Sequence, residues 1–440
     1  MSEPYRFKRR SFLAGSAGLL TAGLLRKSTA AEQQSTGHYI MASQKLPAPR
    51  IELPIDRLPA PEGPKKRIVA LTTAWWKYSH ADDIITKFIE GYGIVGRTHL
   101  PHCSVVGLYV EQFPGSDISP GMAARYRIPM FKTPAEALTL GGKELAADGV
   151  LLVGEHGDYP LNEKGQKLYP RRRVFEEIVK VFLTTGRSVP VFNDKHLSFS
   201  WKNAEWMYRQ SRQLKFPMMA GSSVPVTWRQ PPLAFRLGIP LSRALVAGSG
   251  SFESYGFHCL ELLQTFVEKR PGGETGVKAV QALEGDAADQ LLDGEHWISR
   301  LLPAAMAPVP AARKNTGKKN RGGSVVFRVE YADGFEAAVC LTGGLVSEFC
   351  FACEVTGRSE PVGTYALLPK PQRDHFSFLC NHIETMFRTG EPSYPVERTL
   401  LTTGVLDALH DSRHAGGRRI ETPHLRKLHY TPAEDFAAAG

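Results

Sequence analysis

The chain has 440 residues, of which 42% are apolar and 22% charged, with a formal net charge of +10. Such a length suits two domains with sizeable cores, and such a balance fits a soluble globular chain. Half of the positive excess lies in residues 1–31, where Arg6, Lys8, Arg9, Arg10, Arg26 and Lys27 face only Glu3, and the remainder is no argument for a nucleic-acid partner.

Lys8-Arg9-Arg10-Ser11-Phe12-Leu13 opens a mild apolar run to Leu25, followed by Arg26, Lys27 and small residues up to Ala31. This predicts a twin-arginine export signal over residues 1–31 and a periplasmic or other extracytoplasmic destination. The run is too short, and too rich in Gly and Ala, for a stable membrane anchor. Residues 32–66 are polar and then proline-rich, and read as a tether or an arm lying on the surface. The basic cluster at residues 313–321 reads as a solvated loop. The six cysteines are scattered, and Cys350 and Cys353 fall on opposite faces of a strand-like run, so the cysteines read as small buried apolar residues.

From residue 67 the chain alternates. Strands are predicted at 67–72, 104–109, 149–153, 189–192 and 218–221, and helices at 81–91, 119–127, 173–185 and 201–214. Thr133-Pro134-Ala135-Glu136 is a further helix start, with a cap, a first-turn proline and a glutamate three residues on. The alternation predicts a doubly wound parallel sheet, Rossmann-like, over residues 67–225. Ligands bind such sheets beyond the carboxyl ends of the strands. There the sequence places Thr72, Thr73, His80, Glu111, Glu155, His156, Asp158, Asp194, Lys195 and His196. The polar patch admits a solvated edge, a sugar site, or a metal site built from His156, Asp158 and either His80 or His196. Glu111 closes the second strand, where a carboxylate can accept ribose hydroxyls. The first turn, residues 72–79, has no glycine and two tryptophans, unlike the G-x-G-x-x-G of a dinucleotide site. Residues 159–173 form an insertion able to cover the cleft, whose Arg171, Arg172 and Arg173 suit an acidic substrate or phosphate.

Residues 226–440 read as an α+β domain with a mainly antiparallel sheet. Ser254 and His258 share one face of an apolar helix that runs to Val267. Strands are predicted at 276–282, 324–331, 336–341 and 346–355, with Asp333-Gly334 as a hairpin turn. Helices are predicted at 287–302, 376–389 and 396–415.

Three stretches resemble the glucose-fructose oxidoreductase/inositol dehydrogenase (Gfo/Idh/MocA) family, across about residues 66–421. The family's lysine-bearing strand, G-K-x-V-x-x-E-K-P, is similar to Gly186–Leu197, with Lys195 at the lysine, Asp194 in place of Glu and His196 in place of Pro. Gly256, His258 and Glu261 match G-G-G-x-L-x-D-x-G-x-H-x-x-D, with Ser254 where the Asp stands. Gly390, Pro392, Glu397, Leu400, Ala408, Leu409 and Ser412 resemble the closing pattern, whose helices pack back on the first domain.

The resemblance implies an NAD- or NADP-dependent oxidoreductase acting on a sugar or cyclic polyol. Lys195 would polarise the hydroxyl and His258 relay its proton, with Thr72, Thr73, Glu111, Glu155, His156 and Asp194 toward the cofactor and no resident metal. It also implies a homo-oligomer formed through an open sheet. The residues leave two other readings: a non-redox lyase or hydrolase of sugars, metal-assisted at His156 and Asp158, and a sugar-binding protein without catalysis.

Overall fold

The computed structural model describes residues 39–41, 53–294, 296–310, 323–369 and 373–434. The export signal, the basic cluster at 313–321 and much of the proline-rich arm lie outside these. Of the arm, Tyr39–Met41 pairs antiparallel with Leu233–Phe235, and Leu53 is buried in a core cluster with Ile84, Phe88 and Phe376. The arm is therefore bound to the body at these two points.

Strands β1 (Lys66–Thr72), β2 (Cys103–Val110), β3 (Met130–Phe131), β4 (Gly149–Val153), β5 (Val191–Asp194) and β6 (Met218–Gly221) form a six-stranded sheet in the order β3-β2-β1-β4-β5-β6. Every pairing in it is parallel. The order reverses beside β1, as in a doubly wound nucleotide-binding fold. β4 and β5 are buried along their whole length, which is why they read as short apolar runs and not as alternating ones. The predicted cap at Thr133 is present, its hydroxyl accepting from Glu136 N at 3.1 Å. Helix α1 (Arg171–Thr185) ends at Gly186, whose φ of 63° supplies the left-handed C-terminal turn. Helix α2 (Trp201–Gln213) opens on the Ser200 hydroxyl.

The second domain holds β7 (Arg229–Gln230), β8 (Leu241–Gly248), β9 (Val277–Glu284), β10 (Val325–Tyr331), β11 (Glu336–Leu341), β12 (Phe349–Val355), β13 (Val362–Ala366) and β14 (Ile420–Glu421) in one sheet, ordered β7-β13-β12-β8-β11-β10-β9-β14. Its pairings are antiparallel except β8 with β11. The predicted turn at Asp333-Gly334 joins β10 to β11. On one face lie α3 (Ser254–Val267) and α5 (Val396–His414), packing Leu263, Phe266, Val405 and Leu409 against Val246, Phe327 and Phe351. On the other face lie two short helices, Asp286–Asp293 and Trp297–Met306, packing Ile298, Leu301 and Ala305 against Leu245, Cys340 and Cys350. The single helix predicted at 287–302 is thus two, interrupted at Gly294, and the sheet predicted to be open is covered on both sides. Cys350 and Cys353 do face opposite sides, and all six cysteines are buried, with no disulfide among the described residues.

The last two long helices join the domains. α4 (His375–Thr389) lays Phe376, Ile383 and Phe387 into the first domain's core beside Ile84 and Phe88. α5 puts Val396 and Leu400 against the first sheet and Leu401 and Leu409 against the second. A buried two-pronged ion pair, Arg398 to Glu268 at 3.1 Å on both oxygens, ties α5 to the end of α3. This docking fixes the carboxyl ends of β4, β5 and β6 against the first turn of α3. Among the described residues no helix is long and apolar enough to cross a membrane.

Candidate active site

β5 ends in Asn193-Asp194, and its chain then turns sharply. The Asn193 amide nitrogen lies 3.1, 3.4 and 3.2 Å from the carbonyl oxygens of Asp194, Lys195 and His196, which pins the turn. Lys195 sits at φ 64°, a conformation that side chains other than glycine seldom adopt. Its backbone N–H bonds Gly221 O at 3.0 Å, at the end of β6. The side chain is 2% exposed, and its ammonium donates to Ser254 Oγ at 2.7 Å and meets Glu155 Oε1 at 3.2 Å. An ammonium has three donors, so one remains for a ligand.

Glu155 comes from the end of β4, which two threonines hold. Thr72 Oγ1 donates to Val153 O at 2.9 Å, and Thr73 Oγ1 to Glu155 O at 2.7 Å. The other Glu155 oxygen takes Arg171 at 2.5 Å. Arg171, wholly buried at the start of α1, also donates to His196 Nε2 at 3.1 Å. His196 in turn lies 3.5 Å from Glu253 Oε1, at the entrance to α3. Burial alone would push the Glu155 carboxyl up, but the Lys195 and Arg171 cations hold it well below the usual carboxylate range. A chain of alternating charge therefore runs from Lys195 through Glu155 and Arg171 toward Glu253. Breaking such a buried pair on one side costs about 3–5 kcal/mol.

Three further imidazoles surround the lysine. His80 Nδ1 bonds Asp194 Oδ2 at 2.7 Å. His258, one helical turn beyond Ser254, shares a hydrogen bond with Ser222 Oγ at 2.6 Å through Nδ1. Burial, then the charges of Lys195 and His80, holds its pKa well below the ordinary value, which favours the neutral ring. His156 has φ 71° and a buried Nε2 without a hydrogen-bond partner among the described residues. Burial, and then His80, lowers its pKa to about 4. The rings of His156 and His258 lie 5.5 and 6.2 Å from that of His80. Among the described residues, no three His, Cys, Asp or Glu side chains are gathered so that they could hold a metal ion.

The turn after β1 is built differently. Trp75 is wholly buried there. Ser79 Oγ accepts from Trp76 N at 3.2 Å and from Asp82 N at 3.3 Å, and Asp82 Oδ2 accepts from Tyr78 N at 2.9 Å. The helix that begins at His80 therefore opens with the Asp82 and Asp83 N–H groups bonded to Ser79 and with two buried carboxylates, Asp82 and Asp83. A pyrophosphate needs free N–H groups and no nearby negative charge at this place. These residues do not fit that group in the manner the fold usually provides.

Lys195 bonds Ser254 at the start of α3, and His258 lies one turn along the same helix, near enough for the Lys195 charge to depress its pKa. Glu155, His156 and Asp194 lie in the same cluster, in contact with Thr73, Trp76 and His80 respectively. The Thr72 and Thr73 hydroxyls are engaged with carbonyls of β4's end, as above. Glu111 does close β2, but its carboxylate takes Arg173 at 2.5 Å. Asp158 is exposed, its backbone bracketed by Gln112. In the insertion at 159–173, Arg171 pairs with Glu155, Arg172 with Glu176 and Arg173 with Glu111. Sequence reading missed Ser222, Trp76 and Tyr255 as neighbours of the histidines; the serine pair after β6 was the one visible signal.

No protein-family model and no curated protein sequence matches the chain. Among solved structures it is similar to GenD2 from gentamicin A biosynthesis in complex with NAD, with 13% identity, a TM-score of 0.51 and coverage of 83% of this chain and 99% of that one. It is also similar to a putative myo-inositol dehydrogenase from Sinorhizobium meliloti 1021, at 13% identity and TM-score 0.47, covering 81% of this chain and 99% of that one. A third is the WlbA dehydrogenase from Bordetella pertussis in complex with NADH and UDP-GlcNAcA, at 12% identity and TM-score 0.49, covering 82% and 99%. The fold is that of the Gfo/Idh/MocA-type dehydrogenases, as the resemblance implied.

Proposed function

We propose that this chain is an exported oxidoreductase acting on a sugar or cyclic polyol in the cleft between its two domains. One observation carries the reading: Lys195, from the first domain, donates to Ser254, and His258 stands one turn along the same helix. In this reading the Lys195 ammonium holds a substrate hydroxyl oxygen and stabilises negative charge there as its proton leaves. His258, kept neutral, accepts that proton and passes it toward Ser222. Glu155 and Ser254 fix the ammonium, and Asn193 fixes the turn that presents it. Together such acid–base groups contribute roughly 10²–10⁴-fold each to rate. This reading requires a nicotinamide as hydride acceptor, such as the NAD found in the GenD2 complex, and the turn after β1 does not offer it the usual pyrophosphate seat.

The closed turn after β1 favours a second reading, in which the same lysine and histidine work on a sugar without net redox. Purified protein, titrated with NADH and NADPH and assayed with a panel of polyols and sugars, separates them. Saturable cofactor binding with substrate-dependent reduction of NAD or NADP supports the first. Turnover of a sugar without any nicotinamide requirement supports the second and overturns the first. Neither binding nor turnover leaves the third, a sugar-binding protein. Export is tested with residues 1–31 fused to a reporter: periplasmic signal that is lost in the Arg9→Lys, Arg10→Lys variant supports it, and cytoplasmic retention of the unaltered fusion defeats it.

A further inference from the structure

We propose that the cleft selects a neutral, polyhydroxylated ring over an acidic or phosphorylated sugar, and that Trp76 and Tyr255 are the aromatic walls that hold it. The proposal rests on the carbohydrate reading above and adds the substrate's charge and the residues that choose it.

The first observation is charge. Around the lysine stand two cations, Lys195 and Arg171, and three carboxylates, Glu155, Asp194 and Glu253, all joined in one chain or paired with an imidazole. The nearby Lys77 and Arg373 are matched with Asp82 and Asp83. Recognition of a carboxylate or phosphate calls for a cation whose charge is not already balanced. With two cations against three carboxylates, an anion brought here would add to an excess of negative charge.

The second observation is a row of rings. Trp76 lies 4.9 Å from His156, His156 5.5 Å from His80, His80 6.2 Å from His258, and His258 6.4 Å from Tyr255. The row crosses from the first domain to the second. Tyr255 is 43% exposed, yet it is not loose: it stacks on Phe349 at 6.0 Å, and a Cβ on Gly250, at φ 129°, would collide with its ring. Trp76 is partly exposed at the opposite end. A carbohydrate ring has apolar C–H faces and hydroxyl edges. Aromatic walls suit the faces, and the unpartnered Nε2 of His156 suits a hydroxyl, as pockets of mixed character do.

Isothermal titration of the full chain tests this, with myo-inositol, glucose, glucuronate and glucose 6-phosphate as probes. We expect a neutral probe to bind at least ~10-fold more tightly than either anion, a difference of about 1.4 kcal/mol. Trp76→Ala and Tyr255→Ala are expected to weaken that binding ~10-fold each, and Trp76→Phe and Tyr255→Phe to restore it to within ~3-fold. Circular dichroism checks the fold. Should Trp76→Ala not fold, the half-exposed Tyr255 and the wild-type charge preference still decide. Equal or tighter binding of an anion, no binding of any probe, or unchanged binding in a folded alanine variant overturns the proposal. A neutral ring bound but never oxidised defeats the redox reading alone. Oxidation of glucuronate in preference to neutral rings defeats this proposal alone.

Discussion

Two turns at the same edge of the same sheet have opposite characters. The turn after β1 is closed: Trp75 is buried, Ser79 and Asp82 accept from the N–H groups of Trp76, Tyr78 and Asp82, and Asp82 and Asp83 are buried carboxylates. The turns after β4 and β5 are left reactive. His156 and Lys195 sit in left-handed backbone, as Tyr78 of the closed turn also does, and buried ring nitrogens of both His156 and Trp75 have no hydrogen-bond partner among the described residues; what sets the later turns apart is the Lys195 ammonium, with a donor to spare. Backbone in such conformations costs of order 1–3 kcal/mol per residue and persists where surrounding contacts enforce it, often at functional sites. The contrast teaches that the half of the fold serving acid–base work can stay equipped while the half that would seat a pyrophosphate fills with side chains.

The largest effect should come from the reactive side. Lys195→Met is expected to lower turnover about 10³-fold while the protein stays folded, since Arg171 still faces Glu155. Substrate turnover beside circular dichroism measures this, and unchanged turnover would remove Lys195 from the chemistry. Glu155→Gln leaves Arg171 and Lys195 buried without their carboxylate, and should cost about 3 kcal/mol in urea unfolding. A loss under ~1 kcal/mol would mean the charge chain contributes little. His258→Asn should lower kcat about 10²-fold and move KM little, because the ring acts on the proton and not on binding.

A smaller effect concerns acid. His156 is lowered from 6.5 to about 4, so below pH 6.5 the unfolded chain binds a proton that the folded chain refuses. Stability is then lost progressively as pH falls from about 6.5 to about 4, and the loss levels off below that. Urea midpoints at pH 7 and pH 5 should differ less in His156→Gln than in the wild type. The smallest effect lies at the closed turn. Asp82→Asn removes a charge from a helix N-terminus, worth roughly 0.3–1 kcal/mol toward an anion, so NADH affinity should rise about two- to five-fold. No change would show that the side chains of the turn, and not its charge, set the limit.

Much of this was legible in the sequence. Short apolar runs separated by helical periods gave the parallel sheet, because strands buried on both faces need no alternation. Lys195 and His258 stood out through the resemblance, and their meeting follows from that fold. The pairing of Arg171 with Glu155 was not legible, since an arginine at a helix start is ordinarily a surface residue and only three-dimensional packing buries this one. The left-handed backbone at Lys195 depends on Asn193 reaching three carbonyls, and nothing local in the residue types marks it. The break at Gly294 was missed because residues 287–302 keep a helical apolar spacing on both sides of it.

The helices Asp286–Asp293 and Trp297–Met306, laid over the outer side of the second sheet, have a consequence for assembly. An uncovered sheet would need a second copy of the chain to dry it, and its core would then obey mass action. Here each polypeptide seals that layer by itself, so integrity of this layer should be indifferent to dilution, whatever company the molecule keeps through its other surfaces.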